Sequence, residues 1–147
     1  MTMPNYLPDL GPITAPQLPE HISFWENCAK RELRFQCCSE CERWRHPPAP
    51  VCPHCGSAGA TWKLAPPRAE LFSYTVVHHA PTPALRGYVP YNIAIVAFTD
   101  LIDIRIVSNV LNILPQDLCI GMPLQLVWQD QGPGRVVPLF VREGAAA

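Results

Sequence analysis

The sequence predicts a mainly β protein in which one N-terminal helix and a small metal-stapled ribbon precede a five-stranded barrel. Three observations carry this reading. Two Cys-x-x-Cys pairs, Cys38–Cys41 and Cys52–Cys55, stand ten residues apart. Beyond them, β-branched and aromatic runs of strand length alternate with turn residues as far as Val141. Eighteen prolines, where the ~5% average usage would give about seven, make a helical architecture improbable.

The ribbon carries the most specific chemistry in the chain. Thiolates are soft ligands, and four of them in a tetrahedron suit zinc better than any hard cation. A segment this short cannot build a hydrophobic core, and the metal takes its place, with an apparent binding energy on the order of 10–16 kcal/mol. Cys38, Cys41, Cys52 and Cys55 are therefore expected to hold a structural Zn2+. Four thiolates leave no open coordination position for catalysis. Two disulfides would need an oxidising compartment, and the sequence shows no charged start followed by an apolar stretch and cleavage site. A redox dithiol usually opens a helix after a strand, whereas Pro47, Pro48, Pro50 and Pro53 crowd this region. Iron in a rubredoxin-like site would use the same four sulfurs, and the spacing does not separate the two metals. Cys28, Cys37 and Cys119 are expected as free thiols in or near the core, which points to a reducing compartment, the cytoplasm. Gly56 follows the last ligand, where a positive φ is wanted; Glu42, its counterpart after Cys41, is a less comfortable choice.

Ahead of the ribbon, residues 1–19 form a proline-rich arm with Tyr6, Leu7, Leu10, Ile13 and Leu18 between the prolines. Such a stretch is extended, either as a disordered tail or as an arm across a partner. Residues 20–34 read as a helix, because Ile22, Trp25, Cys28 and Leu33 recur at helical steps and Phe24 broadens the stripe. Glu20 at its start and Lys30 and Arg31 toward its end suit the helix dipole. One helix cannot stand alone, so Phe24 and Trp25 must pack on the ribbon, the barrel or another protein; they are the candidate partner interface.

The ribbon occupies residues 35–65, with Leu33–Gln36 leading into the first knuckle and Arg43–His46 leading out. The barrel follows over residues 66–143, with strands at Leu71–Val77, Asn92–Phe98, Ile102–Val107, Leu124–Trp128 and Val136–Val141. In the third of these, Ile102, Ile104 and Ile106 share one face and Asp103 and Arg105 the other. Five short strands after a ribbon suggest the OB-fold, a Greek-key barrel. Pro138 then belongs at an edge or a bulge. Pro115–Leu118 suggests one helical turn, and residues 144–147 form a tail with nothing to pack.

These features together resemble the acyl-CoA-associated zinc-ribbon and OB-fold proteins, known as the domain of unknown function thirty-five family. The resemblance rests on Phe24-Trp25, on Gln36 to Gly56 with its Pro47-Pro48-Ala49-Pro50-Val51-Cys52-Pro53 run, and on Ser73 to His78. Ile120-Gly121-Met122-Pro123 and Pro138-Leu139-Phe140 add to it. Glu42, where the family usually has glycine, and the long arm are departures. The resemblance implies an accessory subunit without catalytic residues of its own. Its partner would be a thiolase-like aldolase or acyltransferase, or else a hot-dog-fold hydratase, in a hetero-oligomer that encloses an acyl-CoA substrate.

The residues themselves offer no independent catalytic set: no Ser-His-Asp order, phosphate loop or second metal cluster stands out. His78 and His79 are strand neighbours that face opposite ways, so at most one could line a cavity. Guanidinium forks suit coenzyme A phosphates, which makes Arg43, Arg45 and Arg86, with His78, the candidate substrate contacts. Glu40 and Glu42 are interleaved with the first two, as on a solvated mixed surface. A single-stranded nucleic-acid binder is the alternative that ribbons and OB-folds allow. A formal charge of −1 with only two lysines supplies no basic field for it. No apolar run approaches the ~18–20 residues of a membrane span.

Overall fold

The computed structural model describes residues 18–145; the arm expected over residues 1–19 lies outside this range up to Gln17. The chain enters through α1 (Pro19–Ala29), with Pro19 in the first turn, where its missing N–H costs nothing. Phe24 and Cys28, four residues apart, are its buried positions, while Ile22, expected on the same stripe, is 40% exposed. The helix stops at Ala29, short of the sequence expectation. The Lys30 and Arg31 N–H groups bond back to the Asn27 and Cys28 carbonyls, and Arg31 takes φ 59. Leu33 therefore reaches the core from extended backbone rather than from a helix.

The ribbon is a three-stranded antiparallel sheet of β1 (Arg34–Cys38), β2 (Trp44–Arg45) and β3 (Ala60–Leu64) in the order β2-β1-β3. β3, five residues between turn-rich stretches, has no counterpart among the strands expected from the sequence. The central strand buries both faces. Phe35 points toward the barrel, its ring edge-on to Phe98 with centroids 5.2 Å apart, while Gln36 and Cys38 point the other way.

The barrel strands are β4 (Ala69–Val77), β5 (Tyr91–Phe98), β6 (Arg105–Ser108), β7 (Val110–Leu111), β8 (Pro123–Asp130) and β9 (Val136–Arg142), hydrogen-bonded in the order β6-β5-β4-β8-β9-β7. The third predicted strand starts later than expected: Asp103 turns the chain with φ 63 and Ile102 is left 88% exposed. Ile104, just ahead of β6, is buried, as are Ile106 and Ser108 within it. The two outer strands of the sheet, β6 and β7, are successive halves of one segment broken at Asn109. The first half pairs antiparallel with β5 and the second parallel with β9, so one segment runs along both outer edges of the sheet, with no ladder between β6 and β7. Asn92 on β5 reaches β7 as a strand would: its Oδ1 accepts the Val110 N–H at 2.8 Å, and its Nδ2 donates to the Val110 carbonyl at 2.7 Å. Asn109 returns a side-chain hydrogen bond to the Asn92 carbonyl. Pro138 lies on β9 beyond the reach of β7, where no N–H is needed, and its carbonyl accepts the Ser108 hydroxyl at 2.8 Å.

One core joins the parts. Phe24, Cys28, Leu33 and Phe35 from the helix and β1 pack with Leu71, Val96, Phe98 and Phe140 of the barrel. Among the described residues, no helix is long and apolar enough to cross a membrane.

Candidate metal centre

Both knuckles are built the same way. In the first, the Glu42 N–H bonds to the Cys38 carbonyl at 3.1 Å; in the second, the Gly56 N–H bonds to the Cys52 carbonyl at 2.9 Å. Gly56 has φ 76, a conformation that glycine adopts at no steric cost. Glu42 adopts the same conformation at φ 60, so the first knuckle keeps its turn despite the side chain.

The turns bring four sulfurs together. The Sγ atoms of Cys38, Cys41, Cys52 and Cys55 all lie within 4.8 Å of one another. Cys38 and Cys55 are 3.6 Å apart, as are Cys41 and Cys52. A regular tetrahedron with ~2.3 Å Zn–S bonds has edges of about 3.8 Å, so the spacing fits a zinc ion. The electrostatics ask for a cation as well. Backbone N–H groups of Cys41 and Glu40 lower the pKa of Cys38, and those of His54 and Cys55 pull Cys52 down to about 6. The Arg43 N–H favours the Cys41 thiolate too, but burial and the neighbouring sulfurs carry it up to about 12. So crowded a set ionises fully only around a positive ion.

Cys37 stays out of the cluster. It lies on the opposite face of β1, with its Sγ 3.3 Å from the Glu42 carbonyl. Cys28 is fully buried, and its burial pushes the thiol up to about 12. Cys119, expected in or near the core, is exposed.

The candidate substrate contacts are not brought to one place. Arg43 is exposed and donates to His54 Nδ1 at 2.9 Å, bridging the two knuckles. Arg45 is only 5% exposed, which removes it as a contact for an external phosphate. Its Nε donates to Gln36 Oε1 at 2.8 Å and its Nη2 to the Ala49 carbonyl at 3.1 Å. Arg86 lines a separate recess of about 400 Å3 with His79, Thr82 and Val89. Of the histidine pair, His79 reaches that recess; His78 is exposed beside it.

The interface candidates separate as well. Phe24 is 5% exposed and belongs to the core, edge-on to Trp25 at 5.1 Å. Trp25 is half-buried and lines a groove of about 520 Å3 between the helix, Pro47-Pro48 and the β6–β9 side of the barrel. His46, which sequence reasoning did not single out, also lines the groove. Its ring packs between Phe24 and Phe35, and its buried Nδ1 has no hydrogen-bond partner. Burial, with His21 nearby, lowers its pKa to about 4.

A four-cysteine ribbon packed on a Greek-key barrel defines a zinc-ribbon and OB-fold protein. Family profiles agree on both parts: the ChsH2 rubredoxin-like zinc ribbon domain matches residues 25–60, and the ChsH2 C-terminal OB-fold domain matches residues 62–129. The chain belongs to this ChsH2 family. Among solved structures, it is similar to a chain of the Ltp2-ChsH2(DUF35) aldolase, with 36% identity and a TM-score of 0.77 over 86% of this chain and 98% of that one. A protein of unknown function from the DUF35 family of Sulfolobus solfataricus shares the fold at 18% identity and a TM-score of 0.58, over 74% of this chain and 78% of that one. A curated protein of Thermomonospora curvata, named "Probable enoyl-CoA hydratase alpha subunit", is 39% identical over 126 residues, which are 85% of this chain. This chain spans 38% of that relative's length.

Proposed function

We propose that this chain is a non-catalytic subunit of an acyl-CoA-processing hetero-oligomer, paired with a thiolase-like aldolase or acyltransferase. The observation that carries the reading is the similarity, along nearly the whole of that chain, to a component of the Ltp2-ChsH2(DUF35) aldolase. The hydratase name of the Thermomonospora relative supports acyl-CoA chemistry more broadly and makes a hot-dog-fold hydratase the second partner to try.

In this reading Cys38, Cys41, Cys52 and Cys55 hold a structural Zn2+, whose bonds fix the ribbon tip and take no part in the reaction. Trp25 and the groove beside it offer the partner an apolar surface, while Arg43, Arg86 and His78 are the exposed groups available to the phosphates of coenzyme A. The partner supplies the reacting side chains.

Co-expression with a thiolase-like subunit from the same source tests this. The two chains are expected to co-purify, and the pair to act on an acyl-CoA substrate that neither turns over alone. A chain that stays monomeric beside every thiolase-like or hydratase-like candidate contradicts the proposal.

A further inference from the structure

The ribbon buries one positive charge that none of its carboxylates neutralises. Arg45 is 5% exposed, and a guanidinium keeps its proton at any physiological pH. Such a charge is costly in the interior unless an anion offsets it. In the ribbon, Arg34 pairs with Glu32, and Glu40 and Glu42 of the first knuckle are exposed. The partners of Arg45 are neutral instead. Gln36 Oε1 accepts its Nε at 2.8 Å and the Ala49 N–H at 2.8 Å, and the Ala49 carbonyl accepts its Nη2. Its Nη1 is buried with no partner.

This network touches the chain beside three of the four sulfurs. Gln36 lies two residues before Cys38 on the same face of β1, about 6.6 Å along a strand. Arg45, its cross-strand partner, is four residues after Cys41, and Ala49 is three residues before Cys52. A zinc ion held by four thiolates keeps a net double negative charge, and donors beyond the ligands tune such a site.

We propose that Arg45 is the interior counter-charge of the metal centre, held in register with the knuckles by Gln36 and Ala49. The inference rests on the reading that the four cysteines bind zinc. It makes Arg45 a positioning residue that acts on metal retention through its charge as well as its shape.

Zinc affinity of the full chain, measured by chelator competition, separates the two. Arg45→Met keeps the stem and removes the charge; it is expected to weaken zinc binding tenfold or more, within the ~10–100-fold range of outer-shell changes. Arg45→Lys keeps the charge without the fork and should lose less. Gln36→Glu is the decisive variant: it preserves size and acceptor but gives Arg45 a carboxylate of its own. It should weaken zinc binding severalfold while leaving the cobalt(II) absorption of the tetrathiolate site unchanged in position. Binding as tight as wild type in Gln36→Glu, or equal losses in Arg45→Lys and Arg45→Met, overturns the charge role. A wild-type chain that takes up no zinc overturns the metal reading itself, and this inference with it.

Discussion

The two ends of the ribbon are held by different physics. At its base, Leu33 and Phe35 are almost wholly buried and pack among Val96, Phe98 and Phe140, so apolar burial ties this end to the barrel. At its tip, Glu40, Pro53, His54 and Cys55 are exposed, and the two knuckles are joined there by the four cysteines and the Arg43–His54 bridge, with the Ser39 N–H on the Gly59 carbonyl beside them. Loss of the metal should therefore be felt at the tip, and loss of packing through the whole molecule.

The largest expected effect breaks the tip. Cys52→Ser removes one of four ligands and with it most of a metal-binding free energy on the order of 10–16 kcal/mol. The purified variant should lose its zinc by elemental analysis yet keep the β-rich circular dichroism of the barrel. Next, Phe35→Ala at the base leaves a cavity between the ribbon and Phe98; large core truncations of this kind cost about 3–5 kcal/mol. Unlike the cysteine variant, it should lower the midpoint of global denaturant unfolding.

His46 sharpens the comparison because it sits where base and barrel meet. Its folded pKa, about 4, lies below its ordinary value of 6.5, so between these values the unfolded chain binds more protons than the folded one. Stability should fall as pH drops through that window and level off below it, by up to about 3 kcal/mol. His46→Leu should flatten this slope in parallel urea titrations at pH 7 and pH 5. An unchanged slope would assign the acid sensitivity to other groups.

The smallest effect is a gain. Glu42 holds the left-handed conformation that glycine occupies in the second knuckle, and Glu42→Gly should recover about 1 kcal/mol, read as slower zinc release to a chelator.

The same contrast explains what the sequence disclosed. Ligand chemistry is local, so the Cys-x-x-Cys spacing announced the metal cluster, and runs of apolar, largely β-branched and aromatic residues announced β5 and β9. Ile102 misled because its alternation with Ile104 and Ile106 is identical to a strand's, while Asp103 takes a left-handed turn in the connection between β5 and β6. The roles of Arg45 and Phe24 were hidden for the same reason. A buried guanidinium paired to an amide, and an aromatic ring seated on His46, depend on strands meeting across the sequence. Among the many polar and charged residues around the first knuckle, nothing local marks Gln36 and Arg45 as the pair that is buried.

The most direct test is hydrogen exchange on the chain before and after zinc is removed by a chelator at neutral pH. The account predicts that amides over residues 38–59 lose protection, while those of β5 and β9 keep theirs. A zinc-stripped chain that remains fully protected through 38–59 would contradict it.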